Sequence, residues 1–318
     1  MRPVLLVSAA LAAEGENGAR EDANRLRRMD RFGRTGFLAG TRAFAASGAS
    51  RPPDPDARGG VIVGTRYGCR PAITEHAARL AAAARVEDLA PSVFAATVHN
   101  SVNGELAMAL GLGGVSEAIV SGRTAGLEAL ILGARRVASS DADRMLIVAA
   151  EGVDDAMREA WAEERSALGP RAAGVELVET GASVLLEARE ISSKPEERTR
   201  FREGCLFFEP DARRAAVRFF EWVNDVAARA ASDLMPAAAI TLCTPDFEGF
   251  FEGEKGDPPG IERFGAAGLY EIAQKVAGRH VQAADQLSPH SPSKKIHLYV
   301  TRDITGAVAA VALQSNSS

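Results

Sequence analysis

Cysteine and histidine are scarce in this sequence, and their positions exclude several kinds of site. The 318 residues include only Cys69, Cys205 and Cys243, an odd number of widely separated cysteines that supports neither a disulfide framework nor zinc-finger spacing. Five histidines are scattered along the chain, and no two of them have metalloprotease spacing. We therefore expect no metal site and no bound cofactor.

Long apolar runs and an excess of positive charge are also missing. No run approaches the ~20 apolar residues that a membrane-spanning helix needs. The net charge of −5, without a long basic segment, argues against nucleic acid as the main partner. An acidic protein partner fits this charge only if the fold gathers a local basic patch. The opening VLLVSAALAA faintly resembles a signal peptide, but we interpret it as the first strand of a cytoplasmic protein.

The chain is organised around a strand, turn, helix and strand near its middle. Ala118–Val120 is a short apolar strand, and Ser121-Gly122 provides a tight turn, since glycine tolerates backbone angles that other residues avoid. Apolar side chains then follow helical spacing over 127–137. Met145–Ala150 is a continuous apolar run, as expected for a strand that is covered on both faces.

This stretch resembles the nucleophile segment of β-ketoacyl synthases, in the thiolase-like superfamily. Those enzymes place a Cys between a strand and a buried helix, in a TACSS-like motif, where the helix N-terminus favours the thiolate. Aligning Gly126-Leu127 with the family's small-Leu pair puts Arg123 where the catalytic Cys belongs. A guanidinium stays protonated at any relevant pH and cannot act as a nucleophile. The resemblance therefore implies a ketosynthase fold without ketosynthase chemistry.

Other segments of the chain carry the same resemblance. They are Arg25–Gly48 (with RMDRF), Gly60–Gly68 (GVIVGTRYG), Pro91–Gly114 (with N-x-x-x-G and LGLGG) and Gly174–Glu187, which matches a strand hairpin. The match is strong over Phe94–Glu187 and weaker beyond Lys194. It implies an α/β fold of the thiolase-like, layered α-β-α-β-α kind, built from two related halves.

The second half is compressed compared with a ketosynthase. Its pattern predicts a helix over Ala215–Ala231, a strand over Ala237–Leu242, a helix over Arg263–Gly278, and two strands around a turn in Lys295–Leu313. The segment Ile191–Arg200 is polar and charged, as a linker would be. We therefore divide the chain into an N-terminal ketosynthase-like half, 1–190, and a C-terminal one, 191–318, in one compact unit.

Ketosynthases also use two histidines and a Phe-containing gating loop, and the resemblance finds neither here. The first His position falls in AITLCTPDF, at Cys243 or a neighbour. Residues 265–268 keep a GAAG motif, and counting back puts Glu262 at the second His position. The gating loop would lie near Arg302–Gly306, which contains no Phe. Changes at all four places argue against condensation, and we predict an ion pair between Arg123 and Glu262. In the rival arrangement Arg123 turns outward.

Two polar groups near the central stretch have structural interpretations. His99-Asn100 precedes a predicted helix, so we expect capping and helix-entry hydrogen bonds rather than catalysis. Glu151 follows the strand Met145–Ala150, where a carboxylate usually satisfies backbone N–H groups.

The class that the resemblance fits best is the chain-length factors. These ketosynthase-like subunits lack the nucleophile and pair with an active ketosynthase. Together the two subunits shape the tunnel for the chain carried by an acyl carrier protein, in polyketide, aryl polyene or fatty-acid-like biosynthesis. Candidate tunnel or interface residues are His99, Asn100, Met108, Leu110 and Ser121, although Met108 and Leu110 fit a plain core equally well.

Three alternatives stay open at this point. The chain fits an enzyme of altered chemistry, such as a malonyl-carrier decarboxylase. It also fits a homodimeric scaffold that binds acyl chains or carriers. The third alternative is a subunit needed only for the solubility of its partner.

Overall fold

The computed structural model describes residues 2–13, 15–16, 22–85, 91–167, 176–192, 199–208, 211–232, 239–242, 261–262, 272, 294–302 and 307–316. Within them the helices and strands run in the order β1 (Val4–Ala13), α1 (Ala23–Leu26), α2 (Arg31–Ala46), β2 (Gly59–Thr65), α3 (Arg70–Ala82), α4 (Pro91–Ala95), α5 (Ser101–Leu110), β3 (Ser116–Val120), α6 (Ala125–Ala138), β4 (Arg144–Glu151), α7 (Asp155–Ala167), β5 (Glu176–Leu177), β6 (Thr180–Ala188), β7 (Thr199–Phe208), α8 (Ala212–Ser232), β8 (Ala239–Leu242), β9 (Ile261–Glu262), β10 (Lys294–Arg302) and β11 (Ala307–Asn316). No helix in these ranges is long and apolar enough to cross a membrane.

Nine of the described strands form one mixed sheet in the order β3-β2-β4-β6-β1-β7-β11-β10-β8. Read outward from the central β1–β7 contact, its two sides follow the same pattern. On one side, β1 pairs antiparallel with β6, β6 pairs antiparallel with β4, and β4 is parallel to β2. On the other side, β7 pairs antiparallel with β11, β11 pairs antiparallel with β10, and β10 is parallel to β8. The repeated pattern confirms a fold built from two related halves.

The side chains of each strand alternate between two helical layers. On β4, Leu146 packs toward α2 and α5, whereas Ile147 packs toward α6. On β11, Val311 faces the α6 side, and Ala310 packs against Phe219 of α8. Helix α6 contacts strands of both halves, so it lies between them. The two sides of the sheet therefore form the two β layers, and the sequence of layers is α-β-α-β-α, as predicted.

Helix α2 can lie close to its neighbours because small residues face them. Asp30 caps its start by accepting a hydrogen bond from the Gly33 N–H at 2.7 Å. A Cβ at Gly40 would come within 2.7 Å of the Leu106 side chain, and one at Gly36 within 2.9 Å of Val102. Glycine at these positions therefore lets α2 pack tightly on α5.

Several elements differ from those predicted. The predicted hairpin at Gly174–Glu187 is wrong, because β5 pairs in parallel with β9 and only β6 joins the main sheet. Strand β7 and helices α3 and α7 were not predicted at all. The predicted helix Arg263–Gly278 lies outside the described residues except for Ile272, which is helical and buried against the α6 side of the sheet.

Candidate functional site

The candidate site lies where the parallel strands β2, β3 and β4 end together. Such an edge is where α/β folds gather their functional loops. The Ser121 N–H donates to the Thr65 carbonyl at 3.1 Å, which ties the loop after β3 to the end of β2. A Cβ at Gly64 would meet the Ala125 carbonyl oxygen at 2.4 Å, so only glycine allows β2 this close to the start of α6.

Arg123 lies in this loop, just before Thr124, the N-cap residue of α6. Its guanidinium carbon is 5.7 Å from the centroid of the Trp161 ring, within the range of a cation–π contact. Trp161 is only 4% exposed and belongs to a small cluster with Val153, Met157 and Leu177. The position that the resemblance gives to the nucleophile therefore holds a partly buried cation stacked on an aromatic ring.

Glu262 reaches the same region through its backbone. It lies in β9, where it pairs with Leu177 of β5. Leu177 packs with Trp161, the ring beneath Arg123. The Glu262 backbone thus runs beside the cluster on which the Arg123 guanidinium rests, although the ion pair between them stays a prediction. Cys243, which the resemblance puts at or near the first His position, and residues 303–306 of the expected gating loop lie outside the described residues.

One carboxylate accepts hydrogen bonds from both hydroxyls at the start of α6. Ser121 donates to Glu128 Oε1 at 3.0 Å, and the Thr124 hydroxyl donates to the same oxygen. Glu128 lies in the first turn of α6, where a negative charge is favoured by the helix dipole. Ser121, a candidate tunnel residue, therefore fixes a carboxylate at the helix start.

Glu151 takes the structural role expected of it. Its side chain is fully buried and accepts hydrogen bonds from the backbone N–H groups of Arg66 and Tyr67, the latter at 3.2 Å. The same turn carries two cations on one ring, because the guanidinium carbons of Arg66 and Arg70 lie 4.9 Å and 5.6 Å from the Tyr67 centroid. Tyr67 in turn packs against the Trp161 cluster, so aromatic and cationic groups line this side of the site.

His99 contacts a thiol, and Asn100 makes no capping bond. The Nδ1 atom of His99 is 3.5 Å from Cys69 Sγ. Burial raises the pKa of the Cys69 thiol to about 11, so the thiol stays neutral and is a poor nucleophile. Asn100 occupies the N-cap position of α5 without a side-chain hydrogen bond to the helix, but its carbonyl accepts the expected helix-entry hydrogen bond from the Gly104 N–H at 3.1 Å.

Met108 and Leu110 differ sharply in exposure. Met108 is 57% exposed on α5, as an interface residue would be. Leu110 is 8% exposed and packs in the core beneath α2, so the core interpretation holds for it. Among the described residues, no three His, Cys, Asp or Glu side chains come together as metal ligands would.

Comparison with known families identifies the fold. Residues 16–189 match the family described as "Beta-ketoacyl synthase, N-terminal domain", which is more than half of the chain. The chain belongs to the β-ketoacyl synthase family. A comparison with curated protein sequences gave no match.

Solved ketosynthase structures share the fold over almost the whole chain. One is "The ishigamide ketosynthase/chain length factor", with a TM-score of 0.70, 18% identity, and coverage of 99% of this chain and 100% of that one. A type II PKS acyl-carrier protein in complex with its ketosynthase, bound to the hexaketide, gives 0.70 at 17% identity, covering 99% and 100%. A β-ketoacyl synthase from Burkholderia phymatum STM815 gives 0.70 at 12% identity, covering 100% of both chains.

Sequence reasoning missed Trp161, Tyr67 and the arginines that stack on the Tyr67 ring. A signal for Trp161 was present, because Val153, Met157 and Trp161 recur every four residues, as on one face of a helix. That pattern predicts burial but not the long-range contact with Arg123.

Proposed function

We propose that this chain is a non-catalytic, chain-length-factor-type subunit of a β-ketoacyl synthase complex. It pairs with an active ketosynthase and shapes the tunnel for the growing acyl chain, in polyketide, aryl polyene or fatty-acid-like biosynthesis. The observation that carries the proposal is Arg123 stacked on Trp161 at 5.7 Å, at the position that the family resemblance gives to the nucleophile. A guanidinium there can fill space and carry charge, but it cannot form a thioester.

Pairing with a second subunit is supported by the surface around β3. This strand is an edge of the sheet and pairs only with β2 among the described strands. The backbone N–H and C=O groups on its outer side can therefore pair with another strand. Apolar side chains on β3 and the segment before it are exposed: Val120 at 48%, Met108 at 57% and Phe94 at 61%. Large apolar side chains left exposed on an open edge strand and on the helices before it favour a protein–protein interface.

Binding of an acidic carrier protein is supported by a basic patch on the segment between α1 and α2 and on the first turn of α2. Arg27, Arg28, Arg31 and Arg34 are all exposed there, although the chain as a whole has a net charge of −5. Arg31 lies 3.6 Å from the Glu179 carboxylate, which offsets part of the charge. The concentration of guanidinium groups on one surface provides the local patch that an acidic partner requires.

Co-expression with the ketosynthase encoded nearest to this gene tests the proposal. We expect the two chains to purify together in equal amounts through a tag on either one. Val120→Lys, on the open edge of β3, should abolish co-purification, while Val217→Lys, on the exposed face of α8 in the other half, should not. Separate elution of the unmodified chains would contradict the proposal. Carbon dioxide release from a malonyl carrier by this chain alone would favour a decarboxylase instead.

A further inference from the structure

Two guanidinium groups lie over one tyrosine ring just after the end of β2. The guanidinium carbon of Arg66 is 4.9 Å from the Tyr67 centroid, and that of Arg70, the first residue of α3, is 5.6 Å from it. All three side chains are partly buried. Like charges this close to one ring repel each other, and partial burial reduces the screening by water and salt. An anion bound beside both groups would offset that repulsion.

Two further arginines border the same small apolar core. Tyr67 packs against the Trp161 cluster, and the Arg123 guanidinium carbon lies 5.7 Å from the centroid of the Trp161 ring. Arg158, on α7, donates to the carbonyl of Leu177 in that cluster at 3.3 Å. The turn after β2, the loop before α6 and helix α7 therefore bring positive charge to one place, in a chain whose net charge is −5.

Carboxylates on the adjoining elements do not pair with Arg70. Glu151 is fully buried and accepts from two backbone N–H groups of the turn after β2. Asp154 caps α7 by accepting from a backbone N–H, and Asp155 is exposed to solvent. Among the described residues, Arg70 makes neither an ion pair nor a side-chain hydrogen bond. Its charge is therefore one that an external anion can neutralise.

We propose that Arg66, Arg70 and Arg123 form a binding site for a phosphate group, either inorganic phosphate or the phosphate monoester of a small molecule. A guanidinium that stacks on a ring by its face points its N–H donors along its edge, where their planar fork matches two phosphate oxygens. A phosphate carries up to about two negative charges, so it suits a group of cations better than a single carboxylate does.

The position of the site in the fold favours the same kind of ligand. It lies at the carboxyl ends of the parallel strands β2 and β3, the edge where α/β folds bind their ligands. Helices α3 and α6 both begin there, and a helix N-terminus favours a negative charge. Phosphate binding does not depend on pairing with a ketosynthase. Nor does it depend on an ion pair between Arg123 and Glu262, because Arg66 and Arg70 lie over a different ring.

Titration calorimetry of the purified full chain tests the proposal. The probes are sodium phosphate and glycerol 3-phosphate, at an ionic strength held constant with sodium chloride. We expect saturable binding with a Kd of ~1 mM or tighter, and the tighter of the two probes tells a free phosphate from a monoester. Arg70→Gln should weaken binding at least ~10-fold without a loss of thermal stability. Arg79→Gln, an equal change of charge at an exposed position on α3, should leave the affinity unchanged.

Fluorescence shows whether the ligand reaches the Trp161 cluster. The chain has two tryptophans, so Trp222→Phe leaves Trp161, the ring beneath Arg123, as the one that emits. We expect phosphate to change this emission with the Kd found by calorimetry. Binding that leaves the emission unchanged would place the phosphate elsewhere and overturns the proposal.

Two calorimetric results also overturn it. One is the absence of saturable heat from either probe up to ~10 mM, a concentration well above the expected Kd. The other is binding that survives Arg70→Gln unchanged, including binding that is lost instead in Arg28→Gln on the basic patch. Co-purification with a ketosynthase is a separate measurement, so failure of either proposal leaves the other standing.

Discussion

The guanidinium of Arg123 lies over the indole of Trp161, with 5.7 Å between the guanidinium carbon and the ring centroid. A cation at a helix N-terminus opposes the helix dipole, at a cost of about 0.3–1 kcal/mol. A partly desolvated cation–π contact contributes about 0.5–2 kcal/mol. The free energy of the contact with Trp161 is therefore large enough to offset the unfavourable helix dipole and to hold Arg123 at the start of α6. A charged side chain consequently occupies the region where the family resemblance expects a thiolate.

Arg123 and Glu262 should be energetically coupled if they form an ion pair. We expect a double-mutant cycle of Arg123→Gln and Glu262→Gln, followed by urea denaturation, to give a coupling of roughly 1 kcal/mol, because Arg123 is only partly buried. The single variant Arg123→Gln and the double variant both lose the contact with Trp161, so this loss cancels in the coupling energy. Glu163→Gln, at an exposed position on α7, is the matched control. Additivity of the two changes within about 0.3–0.5 kcal/mol would exclude the pair.

Asp30→Asn should stabilise the protein at neutral pH. Asp30 Oδ1 caps α2, but Oδ2 is buried with no hydrogen-bond partner in the described structure. Burial raises the pKa of this carboxyl to about 6, whereas an unfolded chain has a pKa of ~3.9. The folded state therefore binds the proton more tightly, so this group's contribution to stability rises as pH falls from about 6 to about 4.

Asparagine keeps the cap and removes the buried charge. We expect the free energy of unfolding at pH 7 to rise by about 1–3 kcal/mol in Asp30→Asn. The gain should shrink as the pH is lowered and vanish below about pH 4. Asp154→Asn is the control, since Asp154 caps α7 by accepting from the Met157 N–H at 2.7 Å. A loss of stability in Asp30→Asn at pH 7 would show that the charge is favourable where it lies.

Reversing one charge in the basic patch should weaken carrier binding. Arg28 is exposed beside Arg27 on the segment that enters α2. We expect Arg28→Glu to lower the affinity for the acyl carrier protein about 10-fold at low salt, by calorimetry, and less at high salt because ions screen exposed charges. Arg214→Glu, exposed at the start of α8, should leave the affinity unchanged. Equal losses in both variants would mean that the carrier responds to net charge rather than to this patch.

Restoring the nucleophile alone should not restore condensation. Arg123→Cys supplies a thiol at the helix start, but the family resemblance places Glu262, not a histidine, at one of the partner positions. Without general acid–base partners the extender would not be decarboxylated. We expect no β-ketoacyl product from Arg123→Cys with acyl and malonyl carriers, by mass spectrometry of the carrier-bound chains. Product formation would mean that one substitution separates this chain from an active ketosynthase.

The layered fold was predicted from the family resemblance, and a strand that is buried on both faces could also be predicted from its own residues. The run Met145–Ala150 is fully apolar for that reason, and β4 forms there. Strand β7 was missed because its residues alternate with charges such as Arg200, Arg202 and Glu203, and many of its side chains are only partly buried. Its position depends on β1 and β11, which pair with it from distant parts of the chain.

The site could be located from the sequence, but its contacts could not. Local spacing around Arg123 predicted the strand, the turn and the helix that follow one another there. The ring beneath Arg123 comes from α7, and the strand that brings Glu262 near it pairs with β5, far away in sequence. Contacts of this kind depend on the packing of separate segments, which no local pattern specifies. The division of the chain at 190 and 191 stays a prediction.

The most direct test of the account is intact-mass spectrometry of the purified chain after incubation with an acyl-charged carrier protein. If Arg123 occupies the place of the nucleophile, the mass of the chain should not change, because no thiolate stands at the start of α6 to accept the acyl group. A covalent acyl adduct on the unmodified chain, mapped to a residue of the candidate site, would contradict the central claim.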